Sequence, residues 1–193
     1  MAPRSDAGRR GPARERILDA AARCFAADGI SAVGMGRIIR ESGAAKATLY
    51  NHFASKDDLV AAYLAQASAA WWDRVGARLT PIASPDARML ALFDDLAERV
   101  VEPAYRECQF INAAAELPDP AHPPRRIIDQ HRGWLAELLV GLAEEGGHPA
   151  PATLAAQVGM LHDGAMVAAG IDPGAAARIV DDARAAAAGR IAA

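Results

Sequence analysis

The chain has 193 residues, 52% of them hydrophobic and 23% charged, which supplies a buried core and excludes a disordered chain. With 48 alanines, only 5% aromatic residues and few β-branched stretches, the composition favours helix and argues against a sandwich or barrel. The net charge of −3 is unevenly spread: residues 1–56 hold ten Lys/Arg against five Asp/Glu, and residues 57–193 hold eleven against nineteen. A polyanion is therefore attracted to the first segment and repelled by the second.

Residues 1–12, punctuated by Pro, Gly and Ser, read as a flexible basic arm; they are Arg-rich but lack the apolar stretch of a secretory signal. From Ala13, the residues Ile17, Leu18, Ala21, Cys24 and Phe25 form one face of a helix. It ends near Asp28, with Gly29 expected as a left-handed cap. A second short period, Met35, Ile38, Ile39 and Ser42, stops at Gly43. A third helix runs to His52, with Leu49 and Phe53 four apart. Ser55 then caps a helix from Lys56 to about Leu79 whose first turn carries Asp57 and Asp58, as the helix dipole favours. Ser84-Pro85-Asp86 opens the next helix, ended by Pro103. Further helices are expected over Glu107–Leu117, Arg125–Glu145, Pro151–Ala169 and Asp172–Ile191, with PDPAHPP as a loop. The fold class is all-α, about nine helices: a helix-turn-helix domain over 13–55 and a second helical domain over 56–193.

Three short helices with a glycine between the second and third make the helix-turn-helix pattern. Gly43 supplies the bend. Ile38, Leu49 and Phe53 pack the pair against the first helix, leaving one face of 44–52 free to enter a major groove. The run AKATLYNHFASKDDL, Ala45 to Leu59, and the upstream ILDAAARCFAADGI, Ile17 to Ile30, resemble the signature of TetR-family transcriptional regulators. The resemblance implies a homodimer that binds double-stranded operator DNA and a small-molecule effector, with no cofactor. Lys46, Thr48, Tyr50 and His52 stand where the family's recognition helix touches phosphates and bases, and Lys56 where it makes a phosphate contact at a helix start. Ala45 is included in this set but replaces the usual Ser, and Val33-Gly34 replaces a usual Thr-Ser. Helix two is therefore expected to be weakly capped. Tyr50 also reads as a packed surface aromatic, His52 as a solvated histidine, and Arg9, Arg10 and Arg14 as a solvated arm.

The stretch ECQFINAAAELPDPAHPPR, Glu107 to Arg125, resembles the LmrA/YxaF-like subgroup, which implies a pocket without naming its ligand. Aromatic and isolated polar residues on apolar helices nominate Trp72, Phe93, Phe110, Asn112, His131, Trp134 and His162 for that pocket. Ordinary core packing is the competing reading for Trp72, Phe93 and Trp134. For the dimer seam the Ala-rich last helices nominate Leu154, Val158, Leu161, Ala165 and Ile179, against the alternative that they cover only the monomer's own core. His131, His162, Asp163, Glu116 and Cys108 show no metal or nucleophile spacing, so neither a metal site nor a catalytic residue is expected. Two distant cysteines suggest a reducing cytoplasm, and no apolar run of roughly 18–20 residues suggests a membrane span. An enzyme with a vestigial helix-turn-helix is one alternative. A DNA-packaging protein is another, and the acidic segment after residue 56 speaks against it.

Overall fold

The computed structural model describes residues 11–102, 105 and 108–193. Arg9, Arg10, Pro103 and Glu107 lie outside them, as does most of the arm. The described residues contain no strand and nine α-helices: α1 (Pro12–Asp28), α2 (Met35–Ser42), α3 (Lys46–His52), α4 (Lys56–Leu79), α5 (Pro85–Val100), α6 (Gln109–Glu116), α7 (Arg125–Glu145), α8 (Pro151–Ile171) and α9 (Ala176–Ile191). A 3-10 turn, Pro173–Ala175, precedes α9.

The chain divides into two compact units, but not at residue 56. One unit comprises residues 1–72 and 109–130, the other 73–108 and 131–193. Two of the boundaries, after Trp72 and after Gln130, fall inside the continuous helices α4 and α7, and the third falls just ahead of α6.

In the first unit, α1 starts on Pro12 and buries Ile17, Leu18, Ala21, Cys24 and Phe25, the face its periodicity marks. Phe25 meets Tyr63 of α4 edge-to-face, centroids 5.4 Å apart. Gly43 is left-handed at φ 64, ψ 13, as its place between α2 and α3 requires. Gly29 is not the expected left-handed cap: φ 83 with ψ 161 is a conformation essentially confined to glycine. Its N–H still closes α1 on the Phe25 carbonyl at 2.9 Å. Ser55 and Asp58 form a reciprocal capping box at the start of α4: Asp58 N donates to Ser55 Oγ at 3.1 Å and Ser55 N to Asp58 Oδ2 at 3.0 Å.

In the second unit, Ser84 caps α5 by accepting from Ala87 N. Met89, Leu92, Phe93 and Leu96 are enclosed on that helix, and α8 packs on both α5 and α9. Asp95 is the buried charge of the unit. Arg74 Nε donates to it at 2.7 Å, and Arg78 and Arg99 stand at 4.0 Å, so the carboxylate's desolvation is offset by three guanidinium groups. By length and composition α8 is apolar enough to cross a membrane, contrary to the expectation from the sequence. The reason is its placement. Leu154, Ala155, Val158, Ala165, Met166 and Ala169 face the unit's core, and small residues fill much of the other side.

Candidate nucleic-acid interface

The short helix α3 is held from one side. Leu49 is completely enclosed and Phe53, just past its end, is 2% exposed; Phe53 also lies under the Arg14 guanidinium, 5.3 Å from the ring centre. Burying these two side chains is worth about 1.5–3 kcal/mol each and fixes the helix about its axis. The opposite side is then determined: Ala45, Lys46, Tyr50 and His52 are exposed, and Thr48 is half-buried. Asn51 is exposed on the same outward arc. It is absent from the residues marked by sequence, although an amide there can pair with an adenine edge. Neither α2 nor α3 has a side-chain cap, since their N-caps are Gly34 and Ala45. The weak capping expected for α2 is therefore present.

Lys56 sits half-buried at the head of α4, and Nζ donates to the Ser31 carbonyl at 3.2 Å. The turn that carries Ser31 has a partner that sequence reading did not find. Glu116, at the end of α6, accepts from Ile30 N at 2.9 Å and from Ser31 N at 2.6 Å. Burial on its own would raise the Glu116 carboxyl. The N–H groups of Ser31 and Ile30, the Ser31 side chain and the Lys56 charge outweigh it, so the group is held below the usual carboxylate range. Nothing in the local sequence signals this contact, because its partners are 86 and 85 positions apart.

An apolar-locked helix with a polar outward arc, preceded by a glycine bend, is the architecture of a groove-reading helix. The pattern described as "Bacterial regulatory proteins, tetR family" matches residues 17–63. The crystal structure of SCO4454, a TetR-family transcriptional regulator from Streptomyces coelicolor, superposes with a TM-score of 0.87 at 35% identity, covering 94% of this chain and 96% of that one. The chain belongs to the TetR family. It is a DNA-binding transcriptional regulator, not an enzyme. The HTH-type transcriptional regulator LmrA of Bacillus subtilis is 51% identical over 43 residues, 22% of this chain and 23% of that protein. The HTH-type transcriptional regulator Rv1255c of Mycobacterium tuberculosis is 32% identical over 78 residues. That match covers 40% of this chain and 39% of the relative, so the curated relatives share well under half their length with it.

Within this TetR-family chain the residues nominated for a pocket are divided between the two units. Phe93 and His162 come together, centroids 5.4 Å apart and edge-to-face. His131 and Trp134 belong to the same unit. Trp72, Phe110 and Asn112 belong to the other. Asn112 is exposed, on a helix of eight residues that buries Phe110 and Ala113. Burial pushes His131 down to about 4, with Arg132 acting in the same direction and Asp163 opposing. His162 is also lowered, first by burial, and its Nδ1 is enclosed without a hydrogen-bond partner. A groove of about 210 Å³ lies elsewhere, between α7 and α8, lined by Leu135, Leu139, Ala156, Gly159 and Met160 and flanked by Arg132 and Asp163. That pair is bonded, Arg132 Nη1 donating to Asp163 Oδ1 at 2.7 Å.

The nominated seam residues also need correction. Leu154, Val158 and Ala165 point into the core of their own unit, Val158 with no exposed surface at all. Leu161 and Ile179 are half-buried. An almost entirely apolar helix gives no polar face from which the sequence could set its phase. Ala152, Ala156 and Met160 are the exposed residues of α8 in the groove.

Proposed function

We propose that this TetR-family regulator is a cytoplasmic repressor that binds a palindromic operator as a homodimer and is released by a small-molecule effector. The observation that carries the reading is the one-sided fixation of α3: Leu49 and Phe53 are enclosed while Lys46, Tyr50, Asn51 and His52 face outward. Lys46, Tyr50, His52 and Thr48 are proposed to contact phosphates and base edges, Ala45 to meet thymine methyl groups, and Lys56 to contact a phosphate. A pair of such helices set ~34–36 Å apart reads two successive major grooves, which requires two copies of the chain. The outward side of α8 supports that assembly, since Met160 is 66% exposed between small residues that permit close helix approach.

The effector is proposed to bind in the second unit near Phe93 and His162. An enclosed nitrogen without a partner is costly to leave unsatisfied, and a donor on a mostly apolar small molecule would satisfy it. Effector binding then favours the DNA-incompetent state by its differential affinity, typically ~1–3 kcal/mol. The test is selection of bound duplexes from random-sequence DNA. Recovery of an inverted repeat with half-sites about one helical turn apart is expected. Recovery of no enriched sequence, or of a single half-site bound by a monomer, would refute the reading.

A further inference from the structure

We infer that Glu116 is a positioning residue for operator binding: its carboxylate, seated on the Ile30 and Ser31 N–H groups, holds the α1–α2 turn and Lys56 where α2 and α3 can engage a groove. The inference rests on the operator-binding reading and assigns the element that keeps the reading head in register.

The need for such an element follows from the local sequence. The turn from Gly29 to Gly34 leads into α2, whose start has neither a capping side chain nor an acidic residue in the first turn. Glu116 instead anchors, from α6, the turn that leads into this uncapped start, accepting two successive main-chain donors, Ile30 N and Ser31 N. Successive N–H groups of this kind form a concave anion seat. The backbone is shaped around the occupant. Gly29 holds φ +83, and a Cβ built there would meet Glu116 Oε1 at 3.0 Å. Lys56 closes the other side by donating to the Ser31 carbonyl, so one peptide segment is held through both its N–H and its C=O groups.

Glu116 is itself presented from an anchored segment. Arg125 Nη1 donates to the Ala114 and Leu117 carbonyls at 3.0 and 3.1 Å, closing the end of α6. Tyr63 donates its hydroxyl hydrogen to Gln109 Oε1 at 2.9 Å, and His122 Nε2 stands 3.7 Å from Asp57 Oδ2 beside Lys56. Residues 109–130 thus grip α4 at two points and the α1–α2 turn at a third. A displacement of this segment is transmitted to the turn without passing through α3.

A negative charge near Lys56 has a second effect with the opposite sign, because it weakens attraction to any phosphate backbone. The two effects separate on different DNA. Loss of charge alone raises affinity for every duplex, whereas loss of positioning lowers affinity only where base contacts require register. The test measures fluorescence anisotropy on the duplex recovered by random-sequence selection and on a scrambled duplex, for wild type, Glu116→Gln and Gly29→Ala, with thermal midpoints recorded alongside. Both variants should lose about tenfold on the selected duplex, the scale set by charge-assisted hydrogen bonds, and lose nothing on the scrambled one. Lys56→Ala should cost less in the Glu116→Gln background than in wild type. An unchanged ratio between the two duplexes, a rise on both, or strictly additive Lys56 and Glu116 effects would overturn the inference while leaving the operator reading intact. A wild-type protein that does not distinguish the duplexes would overturn both.

Discussion

His131 gives the second unit an acid limit. Its imidazole is 5% exposed on α7, and burial, reinforced by the Arg132 charge, holds it at about 4 against an ordinary value of 6.5, with Asp163 as the opposing charge. The unfolded chain therefore binds a proton that the folded chain resists throughout the interval between those values. Stability from the neutral ring is complete above pH 6.5 and is lost as the pH falls from 6.5 toward 4, where the loss levels off. At about 1.4 kcal/mol per pH unit the full interval is worth about 3 kcal/mol, and roughly 2 kcal/mol is already lost at pH 5. His162, lowered in the same direction by burial, adds to the wild-type trend and is common to both proteins in the comparison that isolates His131. Urea unfolding of wild type and His131→Gln at pH 7.5 and pH 4.5 supplies that comparison. The variant should be the less stable protein at pH 7.5, and the gap should narrow by about 2–3 kcal/mol at pH 4.5, with unchanged denaturant slope. Parallel pH curves for the two proteins would refute the assignment of acid sensitivity to this ring.

Much of the reading head was legible because its signals are local. Leu49 and Phe53 lie one helical turn apart, Gly43 marks the bend, and Ser55 and Asp58 sit at the spacing of a capping box; each constrains its neighbours within a few residues. The second unit was less legible for the opposite reason. On α8 nearly every position is apolar or small, so Val158 and Met160, two residues apart, carry no sequence mark telling which faces the core. The same ambiguity applies to Asn112, on a helix of eight residues with too few turns for the sequence to define a face. Glu116 shows a different limit. Its partners are main-chain N–H groups of Ile30 and Ser31, which every non-proline residue possesses, so no pairing of side-chain types could have announced the contact. The position of α6 within the first unit is likewise a tertiary fact, and it moves the boundary away from the start of α4.

Two further expectations concern the DNA face and the assembly. Lys46→Ala removes an exposed cation from the outward arc of α3; one lost phosphate contact per half-site should shallow the log affinity–log salt slope by about 0.9 per contact, and an unchanged slope would remove Lys46 from the phosphate set. The assembly prediction turns on the phase of α8. Val158 has no exposed surface and Met160 is 66% exposed, so glutamate at the two positions should fail in different ways. Val158→Glu places an unpaired charge inside the unit's own core, costs several kcal/mol and should lower the thermal midpoint at any protein concentration. Met160→Glu leaves that core untouched but sets like charges against a second copy across the α7–α8 groove. It should keep its helical circular dichroism, run as a monomer in light scattering, and lose the selected duplex while α3 remains intact. A Met160→Glu protein that stays dimeric would move the seam off this face, and a monomeric Val158→Glu protein with a wild-type melting curve would return the seam to the residues that the sequence first indicated.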